Sequence, residues 1–451
     1  MLKIIATFFF LVTAFFANAQ TASFQWTDWK YNTDVGFQDP VLTLSSDEGF
    51  TTYSIEELGT QVFAPKIIYI STFDSAAKLK STVSLALPKR QRKEATLLKV
   101  IEGENKLYFF SQIALKKDKK NVLYVQVYEG TTGLVSAPKE LYVLPIEKVK
   151  YAGFFTPVIS EDKKQLAVFV HLPYSKKANE KIATIAFDAN LNKTSEASHT
   201  LRFKSEKAYR EKVYLSNEGI LNIVKTTDFF KKNPVTSVIT LTSNAAVAVT
   251  VSEKGFYVSD ARVISMKGKH YLIGFATNNW KPTVSIGGRK EKRYFMYNIT
   301  DKQLIVSRVW SPKTLKQVLG KGFTDLTIKD VLIANEKIYL IGDCKKKTSA
   351  VKNGANFEYN YTYTNGPGVI VKLEVSGEVD YDVLFKYGET YVNEKQKIAS
   401  FYPYLNTGKL HILVNEKELV MKKKKVVIGY DKINAKVITL NTFDASGTRS
   451  T

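Results

Sequence analysis

Residues 104–135 read ENKLYFFSQIALKKDKKNVLYVQVYEGTTGLV, and variants of this unit recur along most of the chain. Its runs 107–110 and 122–128 are rich in Val, Leu, Tyr and Phe, which suit a pleated, half-buried surface. Each run has the length of a strand and is too short for a helix. After the second run, Gly130 and Gly133 supply the positive φ angles that a tight hairpin needs. The unit therefore predicts β-strands joined by a lysine-rich loop and a tight turn.

The repetition has a period of about 60 residues. Seven polar turns each separate two apolar runs: 45–49, 102–106, 161–165, 216–219, 266–270, 335–337 and 406–409. A second kind of turn follows a third strand that ends in an aromatic residue, at 128–129, 187–188, 297–298 and 430–431. Asp and Asn suit such turns because their side chains can bond the backbone two residues on. Each unit is therefore predicted to hold four strands.

Four antiparallel strands at a near-constant period resemble the blades of a β-propeller. The resemblance covers residues 37–442 and implies an all-β fold with a single β-propeller, residues 20–451. Seven four-stranded blades are predicted, and six or eight are the alternatives. In the last blade the strands are expected at 401–405, 410–414, 426–430 and 437–440. Two stacked β-sandwiches are the rival fold, which the absence of a Pro/Gly/Ser-rich linker disfavours.

One motif is typical of a propeller family. Residues 45–51, SSDEGFT, fit the S-x-D-x-G-x-T core of the Asp box of sialidases and related propellers, although Thr52 stands where that pattern has an aromatic residue. The resemblance implies a structural role at a hairpin turn. It does not imply a sialidase, because neither an arginine triad nor a nucleophilic Tyr with a carboxylate partner can be identified.

Residues 1–19 are predicted to be an export signal. Lys3 precedes a largely apolar run of thirteen residues, 4–16, and Ala17-Asn18-Ala19 forms a small-x-small cleavage pattern. No later run has eighteen apolar residues, so no transmembrane segment is expected in the mature chain. The protein is predicted to be exported, to the periplasm, the cell surface or the extracellular space. With Cys344 as its one cysteine, it has no internal disulfide.

The positive charge is concentrated in loops. Six predicted connections between second and third strands, 115–121, 174–181, 228–234, 280–293, 344–352 and 416–425, hold 23 Lys and Arg against 6 Asp and Glu. They therefore carry +17 of the formal net charge of +22. Equivalent loops of a propeller emerge on one face, so a basic face that attracts an anionic polymer or protein is predicted.

Catalytic chemistry finds little support in the sequence. The four histidines, His171, His199, His270 and His411, show no paired metal-ligand spacing, and neither a GxSxG elbow nor a phosphate loop occurs. No catalytic residue, metal or cofactor is predicted. Asp325, Asp330 and Asp343 could reach a central channel for acid–base work, or serve as turn and strand-end residues.

An aromatic stretch completes the candidate site. In 357–364, FEYNYTYT, rings alternate with polar residues, so a strand would present them on one face, either to pack on neighbouring blades or to stack on a ligand. This stretch is predicted to form an extra hairpin beside the lysine loops. The candidate binding residues are Lys345, Lys346, Lys347, Tyr359, Tyr361, Tyr363, Trp280, Arg289, Lys290, Lys422, Lys423, Lys424 and Lys425.

These observations favour an exported binding or interaction module whose partner is an acidic glycan, an anionic surface polymer or an acidic protein. A glycan-active hydrolase or lyase on a propeller scaffold is one alternative, and a structural envelope protein without a small ligand is another. Nucleic acid would bind a basic face in vitro, but export makes it an unexpected natural partner. The oligomeric state is not encoded in any pattern of the sequence.

Overall fold

The computed structural model describes residues 41–46, 48–57, 66–173, 178–204, 209–228, 234–251, 255–278, 292–310, 326–353, 358–385, 390–392, 401–406, 409–417, 419–422, 425–428, 436–443, 447 and 449–450. The predicted signal peptide lies outside these residues. Among the described residues, no helix has the length and apolar character needed to cross a membrane.

The fold is an all-β, seven-bladed β-propeller, as the repeat predicts. Blade one contains β1 (Val41–Ser46), β2 (Gly49–Glu57), β3 (Lys66–Asp74) and β4 (Leu79–Ala86). A short hairpin, β5 (Lys89–Arg90) and β6 (Lys93–Glu94), follows it. Blade two contains β7 (Thr96–Glu102), β8 (Lys106–Leu115) and β9 (Lys120–Glu129), and both β10 (Leu134–Val135) and β11 (Lys139–Pro145) pair with β9. A 3₁₀ turn (Val149–Tyr151) leads into blade three.

The next three blades are regular antiparallel sheets with sequential strand order. Blade three contains β12 (Phe154–Ile159), β13 (Leu166–His171), β14 (Asn179–Phe187) and β15 (Lys193–Lys204). Blade four contains β16 (Tyr209–Leu215), β17 (Leu221–Thr227), β18 (Val235–Leu241) and β19 (Ala246–Thr250). Blade five contains β20 (Tyr257–Met266), β21 (Lys269–Thr277), β22 (Lys292–Asn298) and β23 (Gln303–Val309).

The last two blades carry additions. Blade six contains β24 (Leu326–Ala334), β25 (Lys337–Asn353), β26 (Glu358–Glu374) and β27 (Val379–Phe385), and β28 (Thr390–Val392) also pairs with β26. Blade seven contains β29 (Phe401–Asn406), β30 (Lys409–Lys417), β33 (Lys436–Phe443) and β34 (Arg449–Ser450). Between β30 and β33, β31 (Leu419–Lys422) and β32 (Lys425–Ile428) form a separate hairpin.

The chain divides into two compact units. The first comprises Met1–Pro88, Asn105–Tyr108 and Gln126–Pro138, and the second comprises Lys89–Glu104, Phe109–Val125 and Lys139–Thr451. In the first unit Phe50 stacks on Phe73 with ring centroids 4.9 Å apart, and the hydroxyl groups of Thr72 and Tyr128 lie 2.8 Å apart. The first unit therefore has both apolar and polar contacts within it.

Consecutive blades of the second unit share their apolar cores. Each of four buried clusters combines side chains from two successive blades, for example Phe169 with Ile223, Val238 with Leu272, Phe275 with Leu340, and Tyr339 with Ile412. Second strands are buried on both faces, whereas the outer strand β15 alternates between exposed and buried residues. This pattern follows from sheets that pack face to face.

The seven predicted turns all connect the first and second strands of the blades. Lys267 and Gly268 have φ angles of 50° and 71°, and Asn335 and Glu336 have 50° and 62°. Positive φ at both central residues is the geometry that matches the twist of a two-residue hairpin. The third-strand turns behave as predicted where they are described: Asp188, for example, accepts backbone N–H bonds at 2.9 and 2.8 Å from two residues of its turn. Residues 430–431 lie outside the described residues.

The strand assignment in blade seven requires a correction. Residues 426–430 were expected as its third strand, but β33 occupies that position, paired with β30 from Leu410↔Phe443 to Lys417↔Lys436. Residues 425–428 instead form β32 of the inserted hairpin. The fourth strand is β34, and not residues 437–440. Both segments have the short apolar pattern of a strand, and only long-range pairing selects between them.

The lysine loops are also shorter than predicted. Residues 344–352 belong to β25 throughout, and 416–425 include the end of β30 and parts of β31 and β32. Residues 179–181 and 292–293 likewise belong to strands β14 and β22. Lysine does not prevent strand pairing at an edge or in a hairpin, because its long side chain can reach water.

Candidate functional site

Four charged side chains meet between blades three and four. His171 ends β13, Glu180 lies near the start of β14, Glu211 lies in β16 and Lys225 lies in β17. His171, Glu180 and Lys225 are 4%, 5% and 0% exposed, and the Glu211 side chain is 9% exposed. Burying a charge is costly unless it is paired, so these four groups are expected to pair with one another or to bind a metal.

Strand pairing brings these residues together. Glu211 and Lys225 are directly opposite each other in the antiparallel pair β16–β17. His171 lies opposite Ile182, two residues from Glu180, in the pair β13–β14. All seven residues of β17 are buried, so the ammonium group of Lys225 must find its counter-ions inside the protein.

The four groups form a closed cycle of hydrogen bonds. His171 Nδ1 lies 3.1 Å from Glu180 Oε1, and its Nε2 lies 2.8 Å from Glu211 Oε1. Lys225 Nζ donates to the other oxygen of each carboxylate, at 2.6 Å to Glu180 and 3.0 Å to Glu211. Since both ring nitrogens face carboxylate oxygens, the ring is assigned as a doubly protonated imidazolium. Two cations and two anions then make the cluster neutral.

The pKa directions agree with this assignment. Burial lowers the pKa of His171, but the hydrogen bonds and charges of Glu180 and Glu211 outweigh burial and raise it above its ordinary value. Burial raises the pKa of Glu180, but the bond from His171 and the charge of Lys225 outweigh burial and lower it. Both groups are thereby held in their charged forms.

Aromatic rings enclose the cluster. Phe154 stacks on His171 with ring centroids 3.8 Å apart, and Phe169 meets the same imidazole edge-on at 4.7 Å. Lys225 Nζ lies 5.7 Å from the centroid of Phe203, within the range of a cation–π contact. These rings exclude water and strengthen the ion pairs.

The same groups have a composition suited to a metal. Ligand atoms of His171, Glu180 and Glu211 all lie within 4.8 Å of one another, and imidazole with two carboxylates is a common donor set. However, Lys225 bridges the carboxylates from the position that a cation would take, and each histidine nitrogen faces a different carboxylate. The chain thus supplies its own cation, and the geometry is that of an ion-pair cluster joining two blades.

No spacing in the sequence predicts this cluster, because residues 171, 180, 211 and 225 come from four different strands. One signal was present in the sequence: Lys225 interrupts the apolar run that begins at Leu221, which is unusual for a buried strand.

Other inner carboxylates are also paired with cations. On the first strands of blades four to six, Asp260 accepts a bond from Lys212 at 2.5 Å, and Asp330 accepts one from Arg262 at 3.1 Å. Arg262 also donates to Glu161 at 3.2 Å. Of the three aspartates considered either for a channel or for turn and strand-end positions, two are described: Asp330 in this pair, and Asp343, which is buried and accepts a hydrogen bond from Thr327 Oγ1 at 2.7 Å. Asp325 lies outside the described residues.

The predicted extra hairpin exists in the backbone. β25 and β26 remain paired to Asn353↔Glu358, far beyond the residues that β24 and β27 reach. Lys345, Lys346 and Lys347 lie opposite Asn365, Thr364 and Tyr363. Tyr361 lies opposite Ala350 and Tyr359 opposite Lys352.

The remaining predicted residues are only partly described. Lys422 and Lys425 are paired with each other at the end of the β31–β32 hairpin. Five of the predicted residues lie outside the described part of the chain: Trp280, Arg289, Lys290, Lys423 and Lys424. His270 and His411 lie in strands β21 and β30, and their Nδ1 atoms lie 3.0 Å from Asn222 Nδ2 and Thr442 Oγ1 respectively.

No known protein family matches the sequence, and no curated protein matches it. Among solved structures, the acylaminoacyl peptidase of Pyrococcus horikoshii is 12% identical with a TM-score of 0.34, and the match covers 88% of this chain and 60% of the peptidase chain. Prolyl oligopeptidase B of Galerina marginata is 13% identical with a TM-score of 0.39, covering 84% and 55%. The WD40 domain of SCAP from fission yeast is 9% identical with a TM-score of 0.39, covering 92% and 83%. The chain thus spans 60% and 55% of the two peptidases, and these likenesses assign it to no family.

Proposed function

We propose that this protein is an exported binding module in which a β-propeller presents lysine-rich loops and a hairpin to an anionic partner. The partner classes are an acidic glycan, an anionic surface polymer or an acidic protein. The observation that carries the proposal is the β25–β26 hairpin, which extends beyond its blade with lysine and tyrosine at opposing positions.

The hairpin extends well beyond the blade sheet. Pairing of β24 with β25 ends at Leu326↔Cys344, and pairing of β27 with β26 begins at Gly368↔Phe385. Among the described strands, residues 345–353 and 358–367 pair only with each other and, at 362–364, with β28. An isolated two-stranded hairpin is only marginally stable, and long insertions in compact repeats are usually functional or disordered; the pairing of β25 with β26 favours the first of these.

The residues of the hairpin suit an anion that has a ring. Lys347 lies opposite Tyr363, and Lys352 lies opposite Tyr359, and directly opposite positions share one face of an antiparallel pair. An ammonium group attracts a carboxylate or sulfate over a distance, and a tyrosine ring offers an apolar face with a polar tip. Lysine-rich loops elsewhere would add to the attraction without selecting one ligand.

The enzymatic alternative has weaker support. A glycan hydrolase or lyase needs a carboxyl group that can take up and release a proton. Glu211, Asp260 and Asp330 lie on first strands and are each bonded to a cationic side chain. Each of these carboxylates already accepts a hydrogen bond from a side chain of the protein, which opposes its contact with a substrate as a general acid or base. Binding without catalysis is therefore the function that the described residues support best.

A charge-matched comparison tests the proposal. The variant Lys345→Gln/Lys347→Gln/Lys352→Gln removes three charges from the hairpin. The control Lys78→Gln/Lys164→Gln/Lys302→Gln removes three charges from exposed residues in turns that join first to second or third to fourth strands. Because only the hairpin set belongs to the proposed site, it should elute from a heparin column at clearly lower salt than the control.

Two results would refute the binding proposal. Equal elution of the two variants would show that the lysines act only as general surface charge. Failure of the unaltered protein to bind heparin or polyuronate at physiological salt would favour the structural envelope alternative.

A further inference from the structure

A short segment between blades two and three exposes two aromatic rings. Tyr151 is 38% exposed and Phe154 is 42% exposed, and they are the two exposed aromatic residues among the side chains that the structure describes. They lie three positions apart, in the 3₁₀ turn and at the start of β12. Exposed Lys148 and Lys150 come just before Tyr151, so two exposed rings and two ammonium groups fall within seven residues of the chain.

The segment is held in a defined conformation. The N–H of Tyr151 donates to Lys148 O at 3.0 Å, and the N–H of Ala152 donates to Val149 O at 3.3 Å. Gly153 follows with φ +70°, and a Cβ there would lie 2.1 Å from the backbone oxygen of His171. The backbone therefore passes too close to β13 for any side chain at this position. This close approach fixes the position of the backbone at Phe154, the next residue.

One face of the Phe154 ring packs against the ion-pair cluster. Its ring stacks on His171 at 3.8 Å and 22°, and His171 is itself fixed by two carboxylates. A ring held in this way loses little conformational entropy when a ligand stacks on its exposed side. Three residues before Phe154 in the chain, the Tyr151 ring has Lys150 Nζ 5.5 Å from its centroid.

We propose that Tyr151, Phe154, Lys148 and Lys150 form a stacking site for a single carboxylate-bearing sugar unit, such as a uronic acid within a glycan. The C–H face of the sugar would lie on an aromatic ring, and a lysine would pair with its carboxylate. The inference rests on the proposed function and deepens it, because it selects an acidic glycan among the anionic partners. A rigid sugar ring that carries a carboxylate can meet an aromatic face and a lysine at once, whereas a flexible acidic peptide must lose conformational entropy to do so.

Calorimetric titration at physiological salt tests this site. The probes are three acidic tetrasaccharides: tetragalacturonate, tetramannuronate and the hyaluronan tetrasaccharide. Methyl-esterified tetragalacturonate is the neutral control. The unaltered protein should bind at least one acidic tetramer, and the neutral ester should bind more weakly if galacturonate is that ligand. Tyr151→Ala and Lys150→Gln should each weaken binding by about two- to tenfold, the size of one aromatic or ionic contact.

Control variants separate the site from general effects. Leu304→Ala removes another exposed apolar side chain, and Lys302→Gln removes another exposed charge. Neither should change the affinity. Phe154→Leu keeps an apolar cover over His171 but removes the aromatic face, so it should weaken binding while its melting temperature stays close to that of the unaltered protein.

Several outcomes would overturn the inference. The first is that no acidic tetramer binds. The second is that Tyr151→Ala binds as the unaltered protein does. If Phe154→Leu alone weakens binding and lowers the melting temperature, the ring is a cover for His171 and not a binding surface. If these variants bind normally while the hairpin variant Lys345→Gln/Lys347→Gln/Lys352→Gln does not, this site is wrong and the proposed function stands.

Discussion

Replacing Lys225 with Met should strongly destabilise the protein, although the two side chains are similar in length. The ammonium group is fully buried and donates to Glu180 at 2.6 Å and to Glu211 at 3.0 Å. Without it, two buried carboxylates face one imidazolium, and one oxygen of each carboxylate loses its donor. The neutral cluster becomes a buried net negative charge.

The expected loss follows from the burial of these groups. Removing one partner from a buried ion pair costs about 3–5 kcal/mol, because the remaining charge stays desolvated. Native domains are stable by about 5–15 kcal/mol, so this single change should consume a large part of the free energy of unfolding. Lys212→Met provides the matched control, since the Lys212 side chain is 43% exposed beside Asp260. An ion pair of that exposure contributes about 0.2–1 kcal/mol.

Urea unfolding followed by circular dichroism and tryptophan fluorescence measures the difference. Lys225→Met should lower the midpoint far more than Lys212→Met does. The double variant Glu211→Gln/Lys225→Met leaves one carboxylate beside the imidazolium, so it should recover part of the stability. A loss below about 1 kcal/mol for Lys225→Met, or no recovery in the double variant, would contradict a buried ion-pair cluster as the link between these blades.

Three further predictions concern the same blades and their neighbours. The pKa of His171 is raised above 6.5 and that of Glu180 is lowered below 4.5, so the stability deficit of His171→Gln should be largest between about pH 4.5 and 6.5. It should shrink as the pH rises above 6.5 through the folded pKa of His171, and as the pH falls below 4.5 through the folded pKa of Glu180. In urea titrations, a deficit that grows as the pH rises above 6.5 would contradict this prediction. Gly153→Ala should cost more than about 1 kcal/mol in the same assay, because φ is +70° and the new Cβ would clash with the oxygen of His171, and an unchanged midpoint would contradict the close approach. Tyr294→Phe removes a 2.8 Å hydrogen bond to Asp382 and should cost about 1 kcal/mol, which the midpoint in urea would also report, and a variant as stable as the parent would show that the bond contributes nothing.

The sequence by itself determined most of the local structure and predicted seven blades, with six or eight as alternatives. Strand runs, turn residues such as Asn335 and Asp188, and the period of about 60 residues depend on φ preferences and on the two-residue alternation of a strand. These are interactions between near neighbours in the chain, so a pattern can reveal them. The alternating aromatics after Phe357 predicted the hairpin that β25 and β26 form for the same reason.

Tertiary structure alone decided which segments meet. Residues 425–428 and 436–443 both look like strands, and pairing with β30 selects the second of them for blade seven. His171, Glu180, Glu211 and Lys225 come from four strands of two sheets, and their charges are tolerated only because the packing of those sheets brings them within hydrogen-bonding distance. The energy of a buried ion pair depends on the positions of all its partners and on the exclusion of water. Neither the positions of the partners nor the exclusion of water is encoded at a single residue. The cluster therefore followed only from the packing of the blades, as did its contact with Phe154.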